Sequence, residues 1–88
     1  MIMWEKIVSY LGGYPERLNV AKVLIKYGLS VRNGKIYCGD IVIPVVRISK
    51  VANVDRRTVI QTIKMIESNP ELKVIFGNIG PAGSSLRE

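Results

Sequence analysis

The sequence predicts a small, mainly α-helical domain that carries a β-hairpin between its second and third helices. Two observations support this fold class. Apolar residues recur at helical spacing near the N-terminus and again over residues 45–66, and Asn33-Gly34 lies between two short runs of β-forming residues. The chain has 88 residues, a length that supports one modest core and therefore a single domain.

The first two helices are predicted from apolar spacing and from residues that begin or end helices. The apolar face of the first helix has the spacing i, i+3, i+4, i+7 and consists of Trp4, Ile7, Val8 and Leu11. Gly12-Gly13 ends this helix. Pro15 suits the first position of a second helix, which runs to about Tyr27 and stops at Gly28. This second helix is apolar over more than half of its circumference, so we expect it at the centre of the core.

Residues 30–43 are predicted to form a β-hairpin, or a three-stranded sheet. Asn33-Gly34 suits a two-residue turn in which both residues have positive φ. Gly39-Asp40 is a second turn signal, and Ile41–Ile43 follows as a third strand. Pro44 then ends the strand and opens the next helix.

Residues 44–67 have the pattern of a helix-turn-helix. The first helix presents Val45, Ile48 and Ala52 on one face, and small residues at the contact allow two short helices to cross closely. Asn53 suits a left-handed turn position, and Asp55 suits the N-cap of a second helix over about 55–67. The inward face of that helix is predicted to be Val59, Ile63 and Ile66. Together with the hairpin, this pattern predicts a winged-helix-like helix-turn-helix domain.

The second helix of this pair is the candidate recognition helix for the major groove of double-stranded DNA. Its outer face is predicted to carry Arg56, Arg57, Thr58, Gln61, Thr62, Lys64 and Met65. Arg and Gln read the edges of guanine and adenine through paired hydrogen bonds, and Thr hydroxyls bind phosphates or bases. From Arg56 to Met65 there is no acidic residue, whereas an ordinary solvated helix face is mixed in charge.

The charge of the chain is concentrated in its middle. Residues 17–64 hold ten basic and two acidic residues, a local charge of +8, within a total of +6. This distribution indicates a polyanion partner, although charge alone also fits a basic solvated surface. Further phosphate contacts are predicted for Arg47 and Lys50 on the first helix of the pair and for Arg32 and Lys35 on the hairpin. A wing usually follows the recognition helix, whereas this hairpin precedes it.

Composition argues against an enzyme. The chain has no His and a single Cys, Cys38, so the commonest general base is missing and the one thiol has no partner base to activate it. We expect neither a catalytic residue, nor a metal site, nor a cofactor. No stretch has the length of a membrane span or the organisation of a signal peptide. We therefore expect a cytoplasmic protein that does not contact membranes.

Residues 1–76 are predicted to form the DNA-binding domain, with a short final helix in PELKVIF. The Gly-, Pro- and Ser-rich residues 77–88 are predicted to be a tail, or a linker to a second domain. The segments MWEKIVSYL, YPERLNVAKVLIKYGLSVRNGKIYCGDIVIP, VDRRTV, NPELKVIF and PAGSSLRE, in this order, resemble the N-terminal domain of archaeal predicted regulators of amino acid metabolism. In that family a helix-turn-helix domain precedes an ACT domain that binds a ligand.

The resemblance implies a transcription regulator, with an amino-acid effector only where an ACT domain follows. We expect a homodimer on a two-fold-related DNA site. Two alternatives remain open from the sequence. In the first, the domain is a protein-interaction module that docks through Ile2, Trp4 and Tyr14, or through the Met65 side. In the second, it binds RNA through the basic hairpin.

Overall fold

The computed structural model describes residues 2–79, with side chains from residue 4 onward. Within this range the chain forms helices and one three-stranded antiparallel sheet, as the sequence predicts. The elements, in chain order, are α1 (Ile2–Leu11), α2 (Pro15–Lys26), β1 (Ser30–Arg32), β2 (Lys35–Cys38), β3 (Ile41–Ile43), α3 (Val45–Ala52), α4 (Arg56–Ser68) and α5 (Pro70–Gly77). Most of the predicted tail, residues 80–88, lies outside the described residues, as does the side chain of Ile2.

Helices α1 and α2 are in contact and are joined by a short turn over residues 12–14. Ile7 and Leu11 of α1 are fully buried, whereas Val8 is 38% exposed, so the apolar face of α1 is narrower than its spacing predicts. Gly12 follows the last residue of α1, and this position requires glycine because a Cβ atom there would lie 2.6 Å from the carbonyl oxygen of Val8. Helix α2 buries Val20, Ala21 and Leu24 and contacts α1, α3 and α4. Its predicted central position is confirmed.

The sheet has the strand order β1-β2-β3 and is antiparallel throughout. Asn33 and Gly34 both have positive φ, 54° and 73°, as a primed two-residue turn requires. Val31 and Ile36 lie opposite each other in the register and are both buried. Strand β1 packs against α5 and α4, so the sheet covers one side of these helices. Strand β3 leads directly into α3.

Helices α3 and α4 are joined by the short turn predicted from the sequence. Pro44 has an extended backbone and begins α3. Asn53 adopts the left-handed conformation, with φ 59° and ψ 49°, and the Val54 N–H donates to the Ser49 carbonyl at 3.0 Å. Ala52 is buried and α3 packs against α4, as expected for a small residue near a close helix contact.

Helix α5 completes the core. The Asn69 side chain caps it by accepting hydrogen bonds from the Glu71 and Leu72 N–H groups at 3.0 and 3.1 Å. Leu72 and Phe76 are fully buried, and Ile79 packs against the same core. The packed part of the chain therefore continues through the first residues of the predicted tail. No helix between residues 2 and 79 combines the length and the apolar character needed to span a bilayer.

Candidate nucleic-acid interface

The exposed face of α4 differs from the predicted one. Arg56, Arg57, Ile60, Gln61 and Lys64 are exposed. By contrast, the placement of Thr58 and Thr62 on this face is wrong. Thr58 is 8% exposed and Thr62 is fully buried, and Met65 is only half-buried. In this conformation the two hydroxyls belong to the interior of the domain and not to the candidate interface.

Helix geometry explains this difference. Successive residues turn by about 100°, so Thr58, Thr62 and Ile66 form one row along α4. Ile66 is fully buried, and α4 turns this row towards α2 and the rest of the core. The Thr62 hydroxyl donates to the Thr58 carbonyl at 2.7 Å, and the Thr58 hydroxyl donates to the Glu16 carboxylate at 3.4 Å. The buried hydroxyls therefore have partners, and this removes most of the cost of enclosing them.

A groove runs between α4 and the beginning of α3. It is lined by Pro44, Val45, Val46, Arg56, Arg57, Ile60, Gln61 and Lys64. We call this surface the α3–α4 groove. Three of its lining residues, Arg56, Arg57 and Lys64, are cations and none is an acid. The groove also contains exposed apolar side chains that were not predicted as site residues, among them Val46 and Ile60. Ile60 could have been found from the sequence, because it is one turn from both Arg56 and Lys64.

The N-terminal end of α4 carries Arg56 and Arg57. Asp55 occupies the predicted N-cap position with an extended backbone, but its carboxylate makes no capping hydrogen bond. Only the Asp55 backbone carbonyl contributes, by accepting from Thr58 and Val59 N–H groups. No acidic residue follows in the first turn. The positive end of the helix dipole therefore coincides with two exposed guanidinium groups, which favours an anion at this end.

The phosphate contacts predicted on α3 have different surroundings. Arg47 and Lys50 are both exposed. Lys50 shares a shallow pocket with Asn53, Asp55 and Glu16. Glu16 begins α2 and is brought here only by the tertiary fold, so the sequence pattern did not reveal it. Lys50 therefore has acidic neighbours on one side, and this weakens its attraction for a phosphate.

The hairpin cations lie apart from the arginine pair. Arg32 donates to the Gly39 carbonyl at 2.7 Å, and its guanidinium lies 4.3 Å from the centre of the Tyr37 ring. The Gly34 N–H donates to Glu67 at 3.1 Å, so the turn that carries Lys35 contacts the C-terminal part of α4. Eleven residues separate Arg56 from Glu67, a rise of about 16 Å. The structure therefore does not bring Arg32 and Lys35 together with Arg56 and Arg57.

On the opposite flank of α4, Arg17 connects two surfaces that the sequence treated as separate. Its guanidinium lies 4.4 Å from the centre of the Tyr14 ring, and Nη1 lies 3.4 Å from the Met65 sulfur. Tyr14 and Met65 thus belong to one patch, while Trp4 packs against the core. Arg17 adds a cation beside α4 that the sequence analysis did not assign to the site.

No family model, curated protein or solved structure matches the chain. The side chains between residues 4 and 79 form no group of His, Cys, Asp or Glu suited to a metal ion. The residues that line the α3–α4 groove are three cations, one amide and four apolar residues.

Proposed function

We propose that the protein is the DNA-binding domain of a cytoplasmic transcription regulator and has a winged-helix-like helix-turn-helix architecture. Helix α4 enters the major groove of double-stranded DNA. The observation that carries the proposal is the outer face of α4, where Arg56, Arg57, Gln61 and Lys64 are exposed and the groove beside them is lined by no acid.

The dimensions and residue types support this mode of binding. An α-helix with its side chains is about 10–12 Å across, and the major groove is about 12 Å wide. Arg57 and Gln61 lie one turn apart on the exposed side of α4, so both reach the same stretch of base edges. Guanine is the matching base for Arg and adenine for Gln, because each pair makes two parallel hydrogen bonds.

Phosphate binding follows from the remaining cations. Arg56 lines the α3–α4 groove at the N-terminal end of α4, and Arg47 is exposed on α3. Both would contact the sugar-phosphate backbone. The major groove of duplex RNA is deep and narrow and does not admit side chains. An exposed recognition helix therefore favours binding to duplex DNA over binding to duplex RNA. The hairpin, which docks on the other end of α4, would reach the backbone further along the duplex.

The regulatory role rests on the sequence resemblance to archaeal regulators of amino acid metabolism. A homodimer would place two copies of α4 on half-sites about one DNA turn apart, near 34 Å. An amino-acid effector enters only through a C-terminal ACT domain.

The experiment is a titration of the 88-residue chain against duplex DNA at several salt concentrations. A duplex is first selected from a random pool, and binding is then followed by fluorescence anisotropy. We expect Arg57→Ala and Gln61→Ala each to lose about 1–3 kcal/mol of specific binding energy. Lys73→Ala is the matched control, because Lys73 is exposed on α5 and lies outside the α3–α4 groove.

Two results would overturn the proposal. One is the absence of salt-dependent binding to any duplex, since phosphate contacts always make affinity fall with salt. The other is binding that both α4 substitutions leave unchanged. Preference for a structured RNA competitor would instead support the hairpin as an RNA-binding element, and salt-independent binding of another protein would support an interaction module.

A further inference from the structure

The α3–α4 groove contains an apolar element that phosphate binding does not explain. Ile60 is 44% exposed and Val46 is 41% exposed, and both line the groove. Ile60 lies one turn from Arg56 and one turn from Lys64, and it is adjacent to Gln61 in the sequence. Leaving a branched apolar side chain in water forfeits the stabilisation that its burial provides. A ligand that covers Ile60 must therefore present an apolar group among negative charges.

Duplex DNA presents such a group at one kind of base only. Thymine carries a C5-methyl group at the edge of the major groove, whereas guanine, adenine and cytosine present hydrogen-bonding atoms there. The methyl group lies between two phosphate backbones, and these match the cations that surround Ile60. A protein surface offers apolar groups as well, but a cationic rim without an acid is complementary to the polyanion.

We propose that Ile60, with Val46 on the opposite side of the groove, recognises a thymine methyl group. This inference rests on the proposed function and specifies its base preference. Gln61 suits adenine, so the two adjacent residues select A·T pairs on this part of the site. Ile60 is a specificity-determining residue in this account, and Arg56 and Lys64 hold the flanking backbone.

The test uses the selected duplex described above, with each thymine replaced in turn by deoxyuridine. This replacement removes the methyl group and leaves base pairing unchanged. Losing one buried methyl-sized group costs about 0.8 kcal/mol, which corresponds to a rise in Kd of about fourfold. We expect this rise at one thymine in each half-site. Ile60→Ala raises Kd on the thymine duplex at least as much and abolishes the difference between thymine and deoxyuridine there.

Two variants serve as controls. Ile60→Val keeps a branched methyl group and is expected to retain sensitivity to deoxyuridine. Val74→Ala removes an apolar side chain that is 63% exposed on α5 and is expected to leave affinity unchanged. Circular dichroism melting confirms that each variant is folded.

The outcomes separate the inference from the function on which it depends. If the duplex binds but every deoxyuridine replacement leaves Kd within twofold, thymine recognition is wrong and DNA binding stands. The inference also fails if Ile60→Ala weakens binding but leaves the sensitivity to deoxyuridine intact at every thymine. If no duplex is selected and binding lacks salt dependence, the proposed function itself fails before any thymine is replaced.

Discussion

Thr62→Val tests the orientation of α4. The Thr62 side chain is fully buried, and its hydroxyl donates to the Thr58 carbonyl at 2.7 Å. Valine has nearly the same shape and replaces the hydroxyl by a methyl group. If α4 lies as the structure describes, this change alters the core and leaves the surface proposed to contact DNA intact.

The expected effect on stability is small because two terms oppose each other. The lost hydrogen bond is worth about 1 kcal/mol, and burial of the added methyl group recovers about 0.8 kcal/mol. The Thr58 carbonyl keeps its main-chain helical partner, so no buried acceptor is left unpaired. The free energy of unfolding should change by less than about 1 kcal/mol, or less than about 8 °C in Tm for a domain of this size. Thr62→Ala removes both the hydroxyl and the methyl group of threonine and leaves a void, so we expect the free energy of unfolding to fall by about 1–2 kcal/mol.

The assay combines a thermal melt by circular dichroism with anisotropy on the selected duplex, at a temperature where both variants are folded. We expect Thr62→Val to bind DNA within twofold of the wild type. Gln61→Ala, its neighbour, should show the opposite pattern of unchanged melting and weakened binding. A tenfold loss of affinity in Thr62→Val with an unchanged Tm would refute the reasoning, because the hydroxyl would then contact DNA.

Two further predictions concern stability. Asn69→Ala removes two capping hydrogen bonds of α5 and should lower the free energy of unfolding by about 1 kcal/mol. Asp55→Ala removes no capping hydrogen bond and should leave the urea midpoint nearly unchanged. Equal losses of stability in the two variants would contradict this difference between the caps. Hydrogen bonds from Tyr10 and Lys6 lower the pKa of Glu71 from its usual 4.5, so this stabilisation is present above pH 4.5 and is lost as the pH falls through the lowered pKa. Urea midpoints measured from pH 7 to pH 3 should therefore fall more steeply for the wild type than for Glu71→Gln, and parallel curves would contradict this.

Local backbone requirements made several elements predictable from the sequence. Asn33-Gly34 and Asn53 have the positive φ values that their turns demand, and few residue types tolerate this conformation. Pro44 and Pro70 precede or begin helices, as their fixed φ predicts. These signals act within a few residues, so they needed no knowledge of tertiary contacts.

Thr58 and Thr62 were predicted on the wrong face of α4 because their burial depends on tertiary contacts. Threonine carries a methyl and a hydroxyl group on one short side chain, so Thr58 and Thr62 suit either face of a helix. Their burial is decided by the packing of α4 against the core and by Glu16, which is 42 residues from Thr58 in the sequence. Counting both threonines as polar rotated the predicted outer face towards them and hid Ile60. A side chain that can bond to its own helix carries little information about which way it faces.

Arg56 and Arg57 place two positive charges at the positive end of the α4 helix dipole. Cations at a helix N-terminus are unfavourable by about 0.3–1 kcal/mol each, and Asp55 does not offset this through a capping hydrogen bond. The first turn of α4 therefore concentrates positive charge from the helix dipole, Arg56 and Arg57 at one exposed end. In the proposed complex, a bound polyanion would convert each of these repulsions into an attraction, so the arrangement that disfavours the isolated helix end would strengthen binding.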